Sequence, residues 1–242
     1  MTQQINANRW RHWHRWLALL VGLQMVLWSI SGAYMVLFEL PFIHGNHLVK
    51  PSHQSSIAQP TVEQFSAVVE RFPRATQITL TSLWLNEQPR PVYHITRRGK
   101  TQLLDAQTLQ PITLSADAIS AIAKRTYALG EAPLAQLTLL TENAPSEISP
   151  SLLPVWQANF GDSGSTSLYF SAITGELVSK RHTYWRGFDL MWMLHIMDYD
   201  TRSDIQNNLL RAVIIGNALF MFTGVLLIIV TIFRRQAVRG RS

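Results

Sequence analysis

The chain has 242 residues, a formal net charge of +6, and no cysteine. The missing thiols exclude disulfides, thiolate metal sites and iron–sulfur clusters. The excess of basic residues sits at the two ends beside long uncharged runs, so it reports membrane orientation and gives no sign of nucleic-acid binding.

Residues 1–15 form a basic leader with Arg9, Arg11 and Arg15. A first uncharged run follows at 16–38, inside a segment we assign to 16–40. At 1.5 Å per residue it is about 34 Å long, enough for a hydrocarbon core of about 30 Å. Ser31-Gly32-Ala33 resembles the small-residue site of a cleaved signal peptide, but the apolar run is too long and continues past Ala33. A second run at 212–233 belongs to a segment at 209–233, and a tail at 234–242 carries Arg234, Arg235, Arg239 and Arg241. A single apolar segment spans a bilayer only as a helix, because every backbone group must find its partner within the segment. Positive flanks stay on the cytoplasmic side, so both termini are expected there and residues 41–183 on the other side.

The intervening domain reads as α+β. Thr61-Val62-Glu63-Gln64 has the form of a capping box, and Val62, Phe65, Val69 and Phe72 follow at helical spacing. Strands suit 76–85, 91–97 and 101–105, with a turn at Arg98-Gly99-Lys100. The order then recurs: a helix at 115–128, and strands at 134–141, 154–160 and 166–171, with a turn at 161–164. Three local matches support an internal repeat. Phe65-Ser66-Ala67-Val68 answers Ile119-Ser120-Ala121-Ile122; Pro91-Val92-Tyr93 answers Pro154-Val155-Trp156; and Asp105-Ala106-Gln107-Thr108 answers Ser171-Ala172-Ile173-Thr174. The halves, about 61–112 and 115–180, are each expected to be a helix followed by three strands. Residues 142–153 read as a loop. Residues 184–208, rich in Trp and Tyr, read as a helix at the membrane surface and a connector.

Three segments resemble the PepSY-associated transmembrane family. They are His14-Arg15-Trp16-Leu17 with Ser31-Gly32; Thr174-Gly175-Glu176-Leu177-Val178; and Trp185-Arg186 through Phe188-Asp189 to Trp192-Met193-Leu194-His195. Larger members are four-span proteins that bind b-type haem through histidines, and some reduce siderophore iron or feed ferrous uptake. The resemblance implies a small ferric-reductase-like protein of a bacterial inner membrane, with its PepSY-like domain in the periplasm. This chain has two spans, so a homodimer would restore a four-helix bundle.

Of the eight histidines, none is central in a span. His14 lies at the inner edge of the first span and His195 near the outer edge before the second. Neutral imidazole is a usual axial ligand for haem iron, and a two-fold axis would pair each with its mate. His44 or His47 pairing with His195, and His12 pairing with His14 across a dimer, remain open. His94 and His182 read as structural. His44, His47 and His53 offer three nitrogens to zinc without the glutamate of a hydrolase. Asp198 and Asp200, near Asp189 and Asp204, are candidates for docking ferric iron. The expected partners are a quinol or cytoplasmic electron donor, ferric iron or a ferric siderophore, and a ferrous transporter. The competing expectation is a non-enzymatic anchored module that binds a transporter or protease.

Overall fold

The structure is a computed structural model that describes residues 2–51 and 62–239. The capping-box Thr61 and His53 lie outside the described residues. The chain divides into two units: residues 1–39 with 187–242, and Leu40–Arg186.

The first unit holds α1 (Thr2–Leu37), most of α5 (Thr183–Ile196) and α6 (Asn208–Arg239). Two stretches, Arg15–Leu37 and Asn208–Val225, are long and apolar enough to cross a membrane. Their large apolar side chains, among them Leu20, Leu23, Leu219 and Phe222, are exposed. This suits a hydrocarbon solvent, in which outward apolar surface costs nothing.

The second unit is α+β. It contains the short α2 (Leu40–Ile43), then α3 (Val62–Arg71) and strands β1 (Gln77–Leu85), β2 (Gln88–Arg97), β3 (Lys100–Asp105) and β4 (Pro111–Ile112). The second series is α4 (Ala116–Thr126), β5 (Leu134–Leu140), β6 (Val155–Phe160), β7 (Ser167–Ser171) and β8 (Leu177–Arg181), followed by the first turn of α5. Each set of strands forms an antiparallel sheet in sequential order. Each half is therefore a helix followed by four strands, one more than the expected three. The added strands are short and apolar periodicity does not reveal them. Pro111 and Ile112 are extended because they pair with Leu104 and Leu103.

The matched motifs occupy equivalent places. Val92 pairs with Asp105, and Val155 with Ser171. The Ala106 amide donates to Pro91 O at 3.0 Å, and that of Ala172 to Pro154 O at 3.1 Å. The Asp105 carboxylate accepts from the amides of Gln107 and Thr108, and the Ser171 hydroxyl from those of Ile173 and Thr174. Each turn closes through a left-handed residue, Leu109 in the first copy and Gly175 in the second. Gly175 has φ +70°, which favours glycine, and a Cβ there would stand 3.0 Å from Leu114 Cδ1, a tight contact. Strand β2 begins three residues before the expected Pro91 and admits Pro89 and Pro91. Beyond Val92 it has no β3 partner, so the absent N–H groups cost no ladder bond.

Ser115 caps α4 by accepting the Ala118 amide at 3.2 Å. The helix is buried on two sides. Ile119, Ile122 and Ala123 join Leu83, Val92 and Leu103 of the first sheet and Ala158, Leu168 and Phe170 of the second in one core. On the far face of the first sheet, Val68 of α3 packs with Tyr93, Ile95 and Leu104. On the far face of the second sheet, Ile148 from the 141–153 loop packs with Val155 and Tyr169. The first sheet is thus covered on both faces, which is why Val92, Tyr93, His94 and Ile95 are buried in succession.

The loop is held by Glu147. Its carboxylate meets Arg186 at 2.7 and 3.1 Å and accepts the Tyr169 hydroxyl at 2.5 Å; Arg181 Nε donates to Glu147 O at 2.6 Å. Removing the carboxylate strands a half-buried guanidinium. Glu147→Ala is expected to lower stability by about 2–4 kcal/mol, read as a shift in the denaturant midpoint of the full chain in detergent. The exposed Glu142→Ala is expected to change it by less than about 0.5 kcal/mol.

Candidate functional site

In the first unit, α5 packs along α1 and its contacts move from Tyr34, beside Gly187, to Trp28 and Ser31, beside His195. Gly187 allows this approach: a Cβ there would stand 2.6 Å from the Tyr34 hydroxyl, and the tyrosine would have to shift. His195 is anchored at two points. Trp28 Nε1 donates to its carbonyl at 2.9 Å, and its Nδ1 lies 2.9 Å from Ser31 Oγ.

The Ser31 bond sets the tautomer. Ser31 is buried and its hydroxyl donates to Leu27 O at 2.8 Å, with Trp28 O at 3.3 Å. A hydroxyl has one proton; with that proton on Leu27 O, the shorter of its two carbonyl contacts, its oxygen accepts from His195 and Nδ1 carries the hydrogen. In the neutral ring Nε2 then keeps its lone pair, and among the described residues it has no hydrogen-bond partner. Gly32 lies beside the ring; a Cβ there would be 3.7 Å from Cε1. An imidazole held through Nδ1–H with Nε2 open has the arrangement of a metal-ligating histidine with its supporting acceptor. Ser31-Gly32 is visible in the sequence, but nothing there pairs it with a residue 164 positions away.

Elsewhere in the spans, Gln24 Nε2 and Asn217 Nδ2 are buried without a partner among the described residues. His14 lies in α1 and its side chain is outside the described set.

Asp198 is engaged with its own loop. Its carboxylate accepts the amides of Asp200, Thr201, Ser203 and Asp204 and the Thr201 hydroxyl, which hold it well below the usual carboxylate range. It thereby folds the loop between α5 and α6, and Asp200 is exposed. Asp189 pairs with Arg202, whose carbonyl accepts from Trp192 Nε1 at 3.0 Å. Among the described residues no three His, Asp or Glu side chains converge as a metal-binding group.

His44 and His47 belong to the second unit, His195 to the first. His44 is exposed. His47 stacks on Phe42 at 4.5 Å and meets His182 edge-on at 5.3 Å. His182 is 2 % exposed, and its Nε2 faces the carbonyls of Phe42 and Ile43 at 3.2 and 3.1 Å. Carbonyls only accept, so Nε2 carries the hydrogen here, opposite to His195. His182 thus ties α2 to the end of β8.

No family model matches this chain, and no curated protein and no solved structure matches it either.

Burial lowers the pKa of His182, His47 and His94 from 6.5. Each is neutral when folded and binds a proton more readily when unfolded. Their stability contribution is present above about pH 6.5 and is lost as pH falls through the folded values. The unfolding midpoint of the second unit is expected to drop between pH 7 and pH 5. His182→Gln, which keeps an N–H donor, is expected to flatten that slope. An unchanged slope would assign the pH dependence to other groups.

Proposed function

We propose that the chain is a b-type haem protein of the inner membrane, similar to PepSY-associated transmembrane proteins, which carries electrons outward to reduce ferric iron in support of iron uptake. The observation that carries this reading is His195, whose ring is fixed by Ser31 and whose Nε2 is left with a lone pair. The donor set suits haem b, which when bound would supply one-electron redox chemistry. His195 is the residue that would hold it. Ser31 orients the ring through Nδ1. Gly32 keeps that side of the ring free of a side chain.

Among the described residues His195 is the one such histidine, so a second nitrogen would come from another copy. A two-fold dimer brings a second His195 and makes four spanning helices. The buried amide nitrogens of Gln24 and Asn217 are suited to interhelical hydrogen bonds in that bundle. At the inner edge His14 takes the corresponding role. The basic flanks keep both termini in the cytoplasm and residues 41–183 in the periplasm. With quinol as donor, one quinol is oxidised to quinone with release of two protons, and two Fe³⁺ are reduced to Fe²⁺. The acceptor is ferric iron or a ferric siderophore, and the ferrous product passes to a transporter.

Purified protein is expected to give a sharp b-type spectrum on dithionite reduction. His195→Ala is expected to lose haem, and Ser31→Ala to keep it with affinity about 10–100-fold weaker. A haem-free protein from haem-replete cells would sink the reading and leave an anchored binding module. The cysteine-free sequence allows a clean topology test. Lys100→Cys is expected to react with an impermeant maleimide in intact spheroplasts, and Thr2→Cys only after lysis. The reverse pattern would invert the chain and end the outward direction of electron flow.

A further inference from the structure

Between the two halves of the second unit lies a cleft of about 610 Å³, within the range of small-molecule sites. The 46–51 segment, β1, α4 and the β7–β8 turn line it. One wall is apolar, with Leu83, Trp84 and Phe170, and its charge is unbalanced: Lys50, Arg125 and Lys180 face Glu176 alone.

Glu176 is already engaged. Its carboxylate accepts the Thr174 hydroxyl at 3.2 Å and lies 3.5 Å from His94 Nδ1. Among the described residues none of the three cations has a carboxylate within ion-pair distance. Lys180 is partly buried, and among the described residues its ammonium donates only to a neutral amide, Asn46 Oδ1, at 2.9 Å. The Arg125 guanidinium lies 3.7 Å over the Trp84 ring. The ring contact restrains the guanidinium, and among the described residues its N–H groups make no hydrogen bond, which leaves them able to take a carboxylate through two parallel bonds. Lys180 is partly withdrawn from water without a counter-charge, and the exposed Lys50 and Arg125 add positive charge to the same cleft, so the cleft favours an anion brought by a ligand.

We propose that this cleft binds a small organic anion with two or more carboxylates on a flat, apolar body. One carboxylate is held by Arg125 and another by Lys180, and the body lies on the apolar wall. The site uses only residues of 40–186 and needs no haem, so it stands or falls apart from the electron-transfer reading.

The test is calorimetric titration of the full-length protein in detergent, with its haem content measured beforehand. The probes are isophthalate, its uncharged diamide and inorganic phosphate. Isophthalate is expected to bind saturably, with the diamide at least about tenfold weaker. Arg125→Gln and Lys180→Gln are each expected to weaken isophthalate about tenfold or more, and Lys100→Gln, on an exposed hairpin turn, to leave it unchanged. Arg125→Lys keeps the charge without the fork and covers a failure of Arg125→Gln to fold; its expected affinity is several-fold below that of the parent. The proposal is overturned if isophthalate does not bind, if the diamide binds as well, if phosphate binds as tightly, or if the Arg125 and Lys180 variants bind like the parent.

Discussion

Helix α4 is buried on two sides, and the second unit depends on that burial. A half-domain of one helix and four short strands encloses too little apolar surface to offset the entropy of ordering its chain. Placing Ile119, Ile122 and Ala123 between Leu83, Val92 and Leu103 on one side and Ala158, Leu168 and Phe170 on the other gives both sheets a shared core. The outer faces are closed by unlike elements, α3 over the first sheet and the Glu147 loop over the second. The repeat is therefore regular in its strands and turns and irregular in what covers them. The cleft lies beside this core, where side chains from both halves meet.

In the first unit the governing constraint is the hydroxyl of Ser31. In an apolar helix a serine proton goes to a carbonyl one turn back, here Leu27 O. The oxygen is left able only to accept, and that fixes which nitrogen of His195 bears hydrogen. A small residue with a committed proton thus decides the chemistry of a larger one. His182 is set to the opposite tautomer by two carbonyls and serves packing. Two histidines of the same type, thirteen positions apart, are distinguished by what surrounds them.

Much of the architecture was legible in the residues. The uncharged runs at 16–38 and 212–233 coincide with helices long enough to cross a membrane. The Pro-Val pairs at 91–92 and 154–155 marked equivalent strands, and their registers agree. Strands β4 and β8 were underread because a short strand exists by virtue of its partner, and pairing is not local. Composition shows the charge of the acidic group around Asp198 but not its hydrogen bonds. In the structure that carboxylate is occupied by its own loop.

By itself the sequence determined the class of each segment, since apolar length, strand alternation and turn residues act over a few positions. It determined the repeat and the candidate histidines. Only the tertiary structure decided which histidine keeps an open nitrogen, which carboxylates are already used, and which cations lack a partner. Those properties depend on Ser31 meeting His195, Arg186 meeting Glu147 and Arg125 lying over Trp84. Such pairings join residues that are far apart along the chain, and packing alone brings them together.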